Sequence, residues 1–204
     1  MSGDVTTRQN IKHELLQRIE ALEFKQRLFP VDSGQIDALV QSLENVNTTD
    51  NPLSPNYHNL LSGSWDLIYA SRGTVVTRSF ASIPDFIERE IKINRIWQTL
   101  VISENQGIST INSAEIALPL LGTWQIEAEG YWKSESDGKT ANVSFSAFST
   151  RAINPFNISW IPELKIPVLE FLRNEAIWIT SYLDDDLRVG RGATGNLFVF
   201  SRNI

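Results

Sequence analysis

The chain of 204 residues contains no cysteine and only two histidines, His13 and His58. Without cysteine it cannot form a disulfide framework, a thiolate nucleophile, a zinc finger or an iron–sulfur centre. The two histidines lie far apart in the sequence, so neither a histidine-rich metal site nor a serine–histidine relay is indicated. The sequence therefore predicts neither a metal ion nor a cofactor.

Positive charge and long apolar runs are also scarce. Lys and Arg number 18 against 24 Asp and Glu, which gives a net charge of −6, so bulk attraction to nucleic acid or anionic lipid is not the expected driving force. The apolar stretches fall short of the ~20 residues that a transmembrane helix needs. Residues 1–10 lack the hydrophobic run of a signal peptide. We therefore expect a cytoplasmic protein that binds no nucleic acid.

Residues 1–50 show the hydrophobic period of an α-helix. One helical stripe is formed by Ile11, Leu15, Ile19 and Leu22. This helix is predicted to end at Phe29-Pro30, and residues 32–35 offer a second capped start, so the region predicts an αα-hairpin. Residues 51–59 lie in a stretch of turn formers and prolines and are predicted to be a linker.

From residue 60 to residue 204 the hydrophobic period changes to two, which is typical of strands with one solvent-exposed face. At least seven strands are predicted, around residues 65–69, 96–102, 108–116, 124–128, 143–148, 176–183 and 197–200. No helical segments alternate with them as βαβ units would require, so a meander closed into a barrel or a sandwich is favoured. The predicted fold class is mainly β (α+β), with the αα-hairpin preceding the strands.

Two segments do not fit plain strands. Residues 83–91 predict a short helix or a loop, and residues 160–172 are apolar and interrupted by prolines. Either segment could form a lid, and the second could instead contact a membrane or a partner, or cross over the barrel wall.

All six tryptophans lie in the β region. They could fill a packed core, because each buried aromatic side chain removes ~150–250 Å² from water. They could also line a barrel interior wide enough for one ligand, as eight-stranded barrels allow. Both interpretations stay open on periodicity alone.

Three successive carboxylates, at residues 184–186, are followed by Arg188 and Arg191. A calcium site is not indicated, because the acidic positions lack the spacing of an EF-hand loop. One interpretation is a hairpin turn whose acids accept backbone N–H groups and pair with an arginine. The other is an arginine held by an aspartate such as Asp184 at the barrel end, where it stacks on an aromatic ring or meets a polar head group.

Two tracts resemble a known family. Residues 178–192 read WITSYLDDDLRVGRG and residues 195–200 read GNLFVF, which resembles the C-terminal signature of the plastid lipid-associated proteins, the plant and cyanobacterial fibrillins. Residues 60–69, LLSGSWDLIY, are similar to the family's opening leucine-Gly-x-Trp strand. The resemblance extends over residues 51–202. Ser181 and the pair Ala193-Thr194 depart from the usual signature.

The resemblance implies a lipocalin-like β-barrel without catalytic residues, associated with thylakoid membranes or lipid globules and with photoprotection. It implies a lipophilic ligand, namely a lipid, a carotenoid or a prenylquinone. The alternative is a scaffold that coats membranes or lipid globules, or holds a prenylquinone-pathway enzyme, without a ligand of its own. An enzyme is the least favoured class. Because no transit peptide is evident, the chain resembles a cyanobacterial member, peripheral to the thylakoid.

Residue roles follow from the same resemblance. In lipocalin-like barrels an arginine from the last strands commonly covers the tryptophan of the first strand. We therefore expect Trp65 to meet Arg188 or Arg191 and close one barrel end by a cation–π contact. An apolar cavity is predicted to be lined by Tyr69, Trp97, Trp124, Phe145 and Trp178.

Overall fold

A computed structural model describes residues 2–72, 92–103, 107–118, 122–154, 164–167 and 176–202. Residues 83–91, predicted to form a short helix or a loop, lie outside the described residues. Of the apolar segment 160–172, only residues 164–167 are described.

The N-terminal region forms three helices, α1 (Ser2–Glu20), α2 (Phe24–Leu28) and α3 (Gly34–Asn45). The expectation that the first helix continues to Phe29-Pro30 is wrong, because α1 ends at Glu20. The guanidinium of Arg27 in α2 donates to the Leu22 and Glu20 carbonyls, both at 2.9 Å. The Glu20 carbonyl is at the end of α1 and the Leu22 carbonyl follows it, so the Arg27 side chain caps the helix where it ends.

Two short helical turns, η1 (Pro55–Tyr57) and α4 (His58–Leu61), connect α3 to the sheet. No helix in the described part of the chain is both long enough and apolar enough to cross a membrane.

Nine strands follow in the described part of the chain, two more than the minimum predicted. Their bounds are β1 (Gly63–Ala70), β2 (Lys92–Ser103), β3 (Gly107–Leu118), β4 (Gly122–Ser134), β5 (Thr140–Asn154), β6 (Leu164–Pro167), β7 (Ala176–Leu183), β8 (Leu187–Gly192) and β9 (Leu197–Arg202). β8 contains Arg188 and Arg191, from the tract of carboxylates and arginines that one interpretation of the sequence assigned to a hairpin turn.

Strands β1 to β5 pair in sequence order, β5 pairs with β7, and β7, β8, β9 and β1 complete the circuit. All these pairings are antiparallel, so the eight strands form a closed ring. This confirms the predicted lipocalin-like barrel preceded by helices. Closure removes the unpaired edges that an open sheet would present.

The barrel wall is uneven at β5. Residues 140–143 of β5 pair with β7, whereas residues 147–150 pair with β6. Because β4 occupies the other edge of β5 along its whole length, β6 and β7 must share one edge. β7, which continues the ring, therefore pairs with only the first part of β5.

The buried apolar side chains form two clusters separated by the barrel wall. One fills the barrel interior and includes Trp65, Leu100 and Trp132. The other lies between the wall and the helices and includes Leu15 of α1 and Val40 of α3. The apolar stripes of α1 and α3 thus cover the outer face of β1, β7, β8 and β9.

Polar contacts also hold the helices to the barrel. Arg191 of β8 makes two hydrogen bonds to the Glu44 carboxylate of α3, at 2.8 and 2.7 Å. After α3, the Asn47 amide donates to the Ser181 carbonyl at 3.0 Å, and the Thr49 hydroxyl donates to the Leu183 carbonyl at 2.9 Å.

Residues 51–59, predicted to be a linker, pack against one barrel end. Leu53 is buried within the interior cluster, and its N–H donates to the Gly138 carbonyl at 2.8 Å. The indole of Trp65 donates to the Leu61 carbonyl of α4 at 2.8 Å. The division into residues 1–50, 51–59 and 60–204 stays a prediction of domain organisation.

Candidate functional site

The strand register shows which side chains face the barrel interior. Trp65 lies opposite Gln98, which lies opposite Asn112, which in turn lies opposite Ala128. Arg188 contacts both Trp65 and Gln98 and is fully buried. Because side chains alternate along a strand, every second residue from these positions also faces inward unless a bulge intervenes.

At the end closed by α4, the inner side chains form what we call the sealed floor, defined by Trp65, Leu100, Trp132 and Arg188. None of the four is more than 1% exposed. The guanidinium carbon of Arg188 lies 4.4 Å from the Phe200 ring centroid, 5.2 Å from that of Trp65 and 5.8 Å from that of Trp132. Cation–π contacts of this kind are strongest where water is excluded.

Arg188 has little polar compensation for its burial. Its Nη2 donates to Gln98 Oε1 at 2.6 Å, whereas its Nε and Nη1 have no hydrogen-bond partner among the described residues. No carboxylate in the described ranges forms an ion pair with it. Burial and the neighbouring charge of Arg202 lower the pKa of Arg188. An arginine side chain nevertheless stays charged at neutral pH, so the floor holds an uncompensated cation.

Arg202 was missed in the sequence analysis, yet it lies closer to Trp65 than Arg188 does. Its guanidinium carbon is 4.2 Å from the ring centroid, and it also donates to the carbonyls of Ser62 (3.0 Å) and Leu60. Phe200 and Arg202 are two residues apart on β9. Strand alternation therefore places both on one face, and this spacing is the sequence signal that could have identified Arg202. Arg191, the other expected partner of Trp65, pairs with Glu44 outside the barrel.

Asp184 caps the turn between β7 and β8. Its carboxylate accepts the backbone N–H groups of Asp186 and Leu187 at 3.2 and 2.8 Å, and it also accepts the Tyr182 hydroxyl at 2.6 Å. Lys12 of α1 donates to it at 2.8 Å. Burial would raise the pKa of Asp184, but the hydrogen bonds from Lys12 and Tyr182 outweigh it and lower the pKa. Asp184 thus joins the helices to the barrel and does not hold an arginine.

Trp178 lies next to the sealed floor, inside the barrel and half-buried. Its ring centroid is 5.6 Å from Trp132, 5.3 Å from Phe198 and 6.1 Å from Phe200. The ring covers the backbone of Gly190, where a Cβ would lie only 1.8 Å from it. Glycine is therefore required at this position for the aromatic ring to pack.

Beyond Trp178, the inner face of β4 and β5 forms what we call the open half. Its side chains face inward by register, yet each remains partly exposed: Trp124, Ile126, Ala128, Phe145, Phe148, Thr150 and Ala152. A register shift between Glu129 and Gly130 marks a bulge in β5. The bulge places Phe145 and Phe148, three residues apart, on the same face, with ring centroids 6.2 Å apart.

The five residues predicted to line a cavity therefore separate into two groups. Trp124, Phe145 and Trp178 face the barrel interior and are partly exposed. Trp97 lies opposite Asp66 on the outer face, where the Arg95 guanidinium carbon is 4.8 Å from its ring centroid. Tyr69 packs with the helices in the outer cluster, because a register shift between Leu67 and Tyr69 turns it away from the interior.

A short polar row crosses the inner wall. The Gln98 amide donates to Asn112 Oδ1 at 2.6 Å, and Asn112 is half-buried. Within the described residues, no cluster of His, Cys, Asp or Glu side chains could hold a metal ion. The described inner wall can thus offer apolar contact and hydrogen bonds.

A closed eight-stranded antiparallel barrel with one sealed end and a partly exposed apolar inner wall is a lipocalin-like barrel. Within this class the chain belongs to the plastid lipid-associated protein (PAP)/fibrillin family, since the PAP_fibrillin family model matches residues 9–201.

Two curated relatives come from plants. The chain is 28% identical over 199 residues to a probable plastid-lipid-associated protein 5, chloroplastic, of Arabidopsis thaliana, covering 97% of this chain and 71% of the relative. It is 26% identical over 201 residues to a probable plastid-lipid-associated protein 3, chloroplastic, of Oryza sativa subsp. japonica, covering 81% of this chain and 51% of the relative. The match thus spans about half the length of the rice protein.

Proposed function

We propose that this protein is a non-enzymatic carrier that binds one lipophilic small molecule, a lipid, a carotenoid or a prenylquinone, in the open half of its barrel. It would act beside thylakoid membranes or lipid globules and contribute to photoprotection there. The names of the relatives, which are plastid-lipid-associated proteins, support the lipid part of this proposal.

The observation that carries the proposal is the difference in exposure along one face of β4. Trp132 at the floor is 1% exposed, whereas Trp124, Ile126 and Ala128 on the same inner face are only half-buried. Inward-facing apolar side chains that remain accessible are the usual lining of a ligand site. Their burial by a ligand would contribute about 25 cal/mol per Å², which favours long apolar molecules over polar metabolites.

One observation favours the alternative of a coat or scaffold without its own ligand. Three apolar side chains around α2 are exposed, Phe24 at 37%, Phe29 at 38% and Val31 at 101%. Apolar groups clustered on a surface can mark a contact with a membrane or a protein partner. In this reading the partner would be a lipid globule, a thylakoid membrane or a prenylquinone-pathway enzyme.

The first experiment is to purify the protein gently from photosynthetic cells, extract it with organic solvent and identify bound lipids, pigments or quinones by mass spectrometry. A heat-treated sample is the control. One enriched lipophile at about one molecule per chain supports the carrier. Clean protein that also fails to take up added lipids, judged by tryptophan fluorescence, supports the scaffold.

A variant that fills the open half tests where the ligand binds. Ile126→Trp adds bulk to the open half and should abolish uptake of the copurified lipophile while the protein stays folded. Val101→Trp is the matched control, because Val101 is 54% exposed and lies on the outer face. Equal uptake by both variants would contradict binding in the open half.

A further inference from the structure

We propose that the inner wall holds a polar anchor at Asn112, which selects lipophiles that carry a hydrogen-bond-acceptor oxygen, such as a carbonyl, quinone or carboxylate oxygen. This inference rests on the proposed function, since it concerns the same open half of the barrel. It adds the chemical class of the ligand and the residue that recognises it.

The buried Arg188 guanidinium determines whether the anchor donates or accepts a hydrogen bond. Arg188 can only donate hydrogen bonds, so the atom of Gln98 that meets it at 2.6 Å must be the oxygen. The nitrogen of the same amide then faces Asn112, whose oxygen accepts from it at 2.6 Å. Among the described residues this leaves the Asn112 Nδ2 group as the free end of the row, and that group is a donor.

Asn112 lies where a ligand can reach it. It is half-buried, whereas Gln98 is 6% exposed and Arg188 is fully buried. On the inner face its cross-strand neighbour is Ala128, which belongs to the open half. The small side chain of Ala128 leaves the amide uncovered on that side. A ligand in the open half would therefore meet Asn112 before any other member of the polar row.

The sealed floor reinforces the preference for acceptors. Its buried atoms without a hydrogen-bond partner include three donors, Nε and Nη1 of Arg188 and Nε1 of Trp132. Among the described residues, no carboxylate pairs with Arg188 or Arg202. A wall that offers donors next to an uncompensated cation attracts partial or full negative charge. Arg188 and Gln98 act here as positioning residues, and Asn112 makes the contact.

The test uses four probes with one chain length, dodecanoic acid, methyl dodecanoate, dodecan-1-ol and dodecane. Binding to the full chain is measured by tryptophan fluorescence and by calorimetry. One hydrogen bond with a buried donor corresponds to about a tenfold change in affinity. We expect the acid and the ester to bind about tenfold more tightly than dodecane. A preference for the acid over the ester would assign a carboxylate, and equal affinity would assign a carbonyl.

Two variants of Asn112 make the assignment specific. Asn112→Leu should reduce acid and ester binding to the level of dodecane and leave dodecane binding unchanged. Asn112→Asp replaces the donor by an acceptor, so it should weaken acid and ester binding while it retains dodecan-1-ol, which can donate. The matched control is Asn94→Leu, because Asn94 is an exposed residue of β2 that bonds to Glu115 at 2.9 Å.

The outcomes distinguish a failure of the polar anchor from a failure of the proposed carrier function. Should the wild-type protein bind none of the four probes, the anchor would be overturned, and should it also copurify with no lipophile, the carrier would be overturned with it. Should it bind all four equally, or should Asn112→Leu weaken dodecane as much as the acid, the carrier would stand and the anchor would be rejected. Thermal unfolding of each variant shows whether it is folded, and the wild-type probe series remains decisive if a variant is not.

Discussion

The sealed floor and the open half are parts of one barrel wall with different properties. Trp132 and Trp124 are eight residues apart on the inner face of β4, yet Trp132 is 1% exposed and Trp124 is half-buried. At Trp132 the interior is filled by Trp178 and by the guanidinium of Arg188. The comparison shows that an inward tryptophan is buried or accessible according to what is packed against it.

The floor owes its closure to elements from distant parts of the sequence. Trp65 comes from β1, Arg188 from β8 and Arg202 from β9, and α4 supplies the carbonyl that accepts the Trp65 indole N–H. The described inner face of the open half, by contrast, comes mainly from β4 and β5. We therefore expect mutations to separate the stability of the barrel from the proposed ligand binding.

The largest effect is expected for Trp65→Ala. Truncating a fully buried tryptophan leaves a cavity and removes the stacking partner of two arginines, so unfolding should become easier by about 3–5 kcal/mol. Urea denaturation of the variant and the wild-type protein measures this difference.

The matched variant is Trp124→Ala, at the other end of the barrel. It should lose lipophile affinity with a much smaller loss of stability, because Trp124 is only half-buried. If Trp65→Ala instead abolished uptake at an unchanged melting temperature, Trp65 would belong to the pocket and the division between floor and open half would be wrong.

The second effect concerns Gly190, at the boundary between the two regions. A Cβ at this position would lie 1.8 Å from the Trp178 ring, so Gly190→Ala should displace the ring and destabilise the protein by about 2–3 kcal/mol. Near-ultraviolet circular dichroism should report the change in tryptophan packing.

Gly192→Ala serves as the control on the same strand. There a Cβ would meet its nearest neighbours, Asn196 and Phe198, at 3.8 Å, which is an ordinary contact. Equal destabilisation by both substitutions would mean that backbone freedom, and not the Trp178 ring, decides the effect.

Periodicity in the sequence predicted a strand meander that closes into a barrel or a sandwich, because alternation survives in most strands, and the family resemblance implied the barrel. Periodicity failed where bulges interrupt the alternation. Tyr69 follows Trp65 and Leu67 at the expected spacing, but the register shift in β1 turns it toward the helices. The bulge in β5 has the opposite consequence, because it brings Phe145 and Phe148 to one face.

The family resemblance implied a contact between Trp65 and Arg188 or Arg191, but the full burial of Arg188 was a feature that the sequence could not reveal. A strand that contains two arginines resembles a polar turn, so β8 was not predicted as a separate strand. Arg188 is buried because aromatic rings surround it, and those rings come from β1, β4 and β9. Only the tertiary fold brings them together.

The smallest effect is expected outside both regions, at the contact between α1 and the barrel. Asp184→Asn removes one of the two carboxylates that pair with Lys12, and that of Asp186 remains. The amide oxygen can still accept the turn N–H groups. We expect a loss of about 1–2 kcal/mol at pH 7. The exposed neighbour Asp185 provides the control variant, Asp185→Asn, which should have little effect.

The pH dependence of this loss identifies its cause. Because the pKa of Asp184 is lowered in the folded protein, the unfolded chain binds a proton at this position first, below its ordinary pKa of about 3.9. The contribution of Asp184 is thus fully present above that pH and is lost as the pH falls through the folded-state pKa. Urea unfolding from pH 7 to pH 3 should show the wild-type advantage over Asp184→Asn shrinking below about pH 4. An advantage that stayed constant with pH would mean that shape, and not the charge paired with Lys12, joins α1 to the barrel.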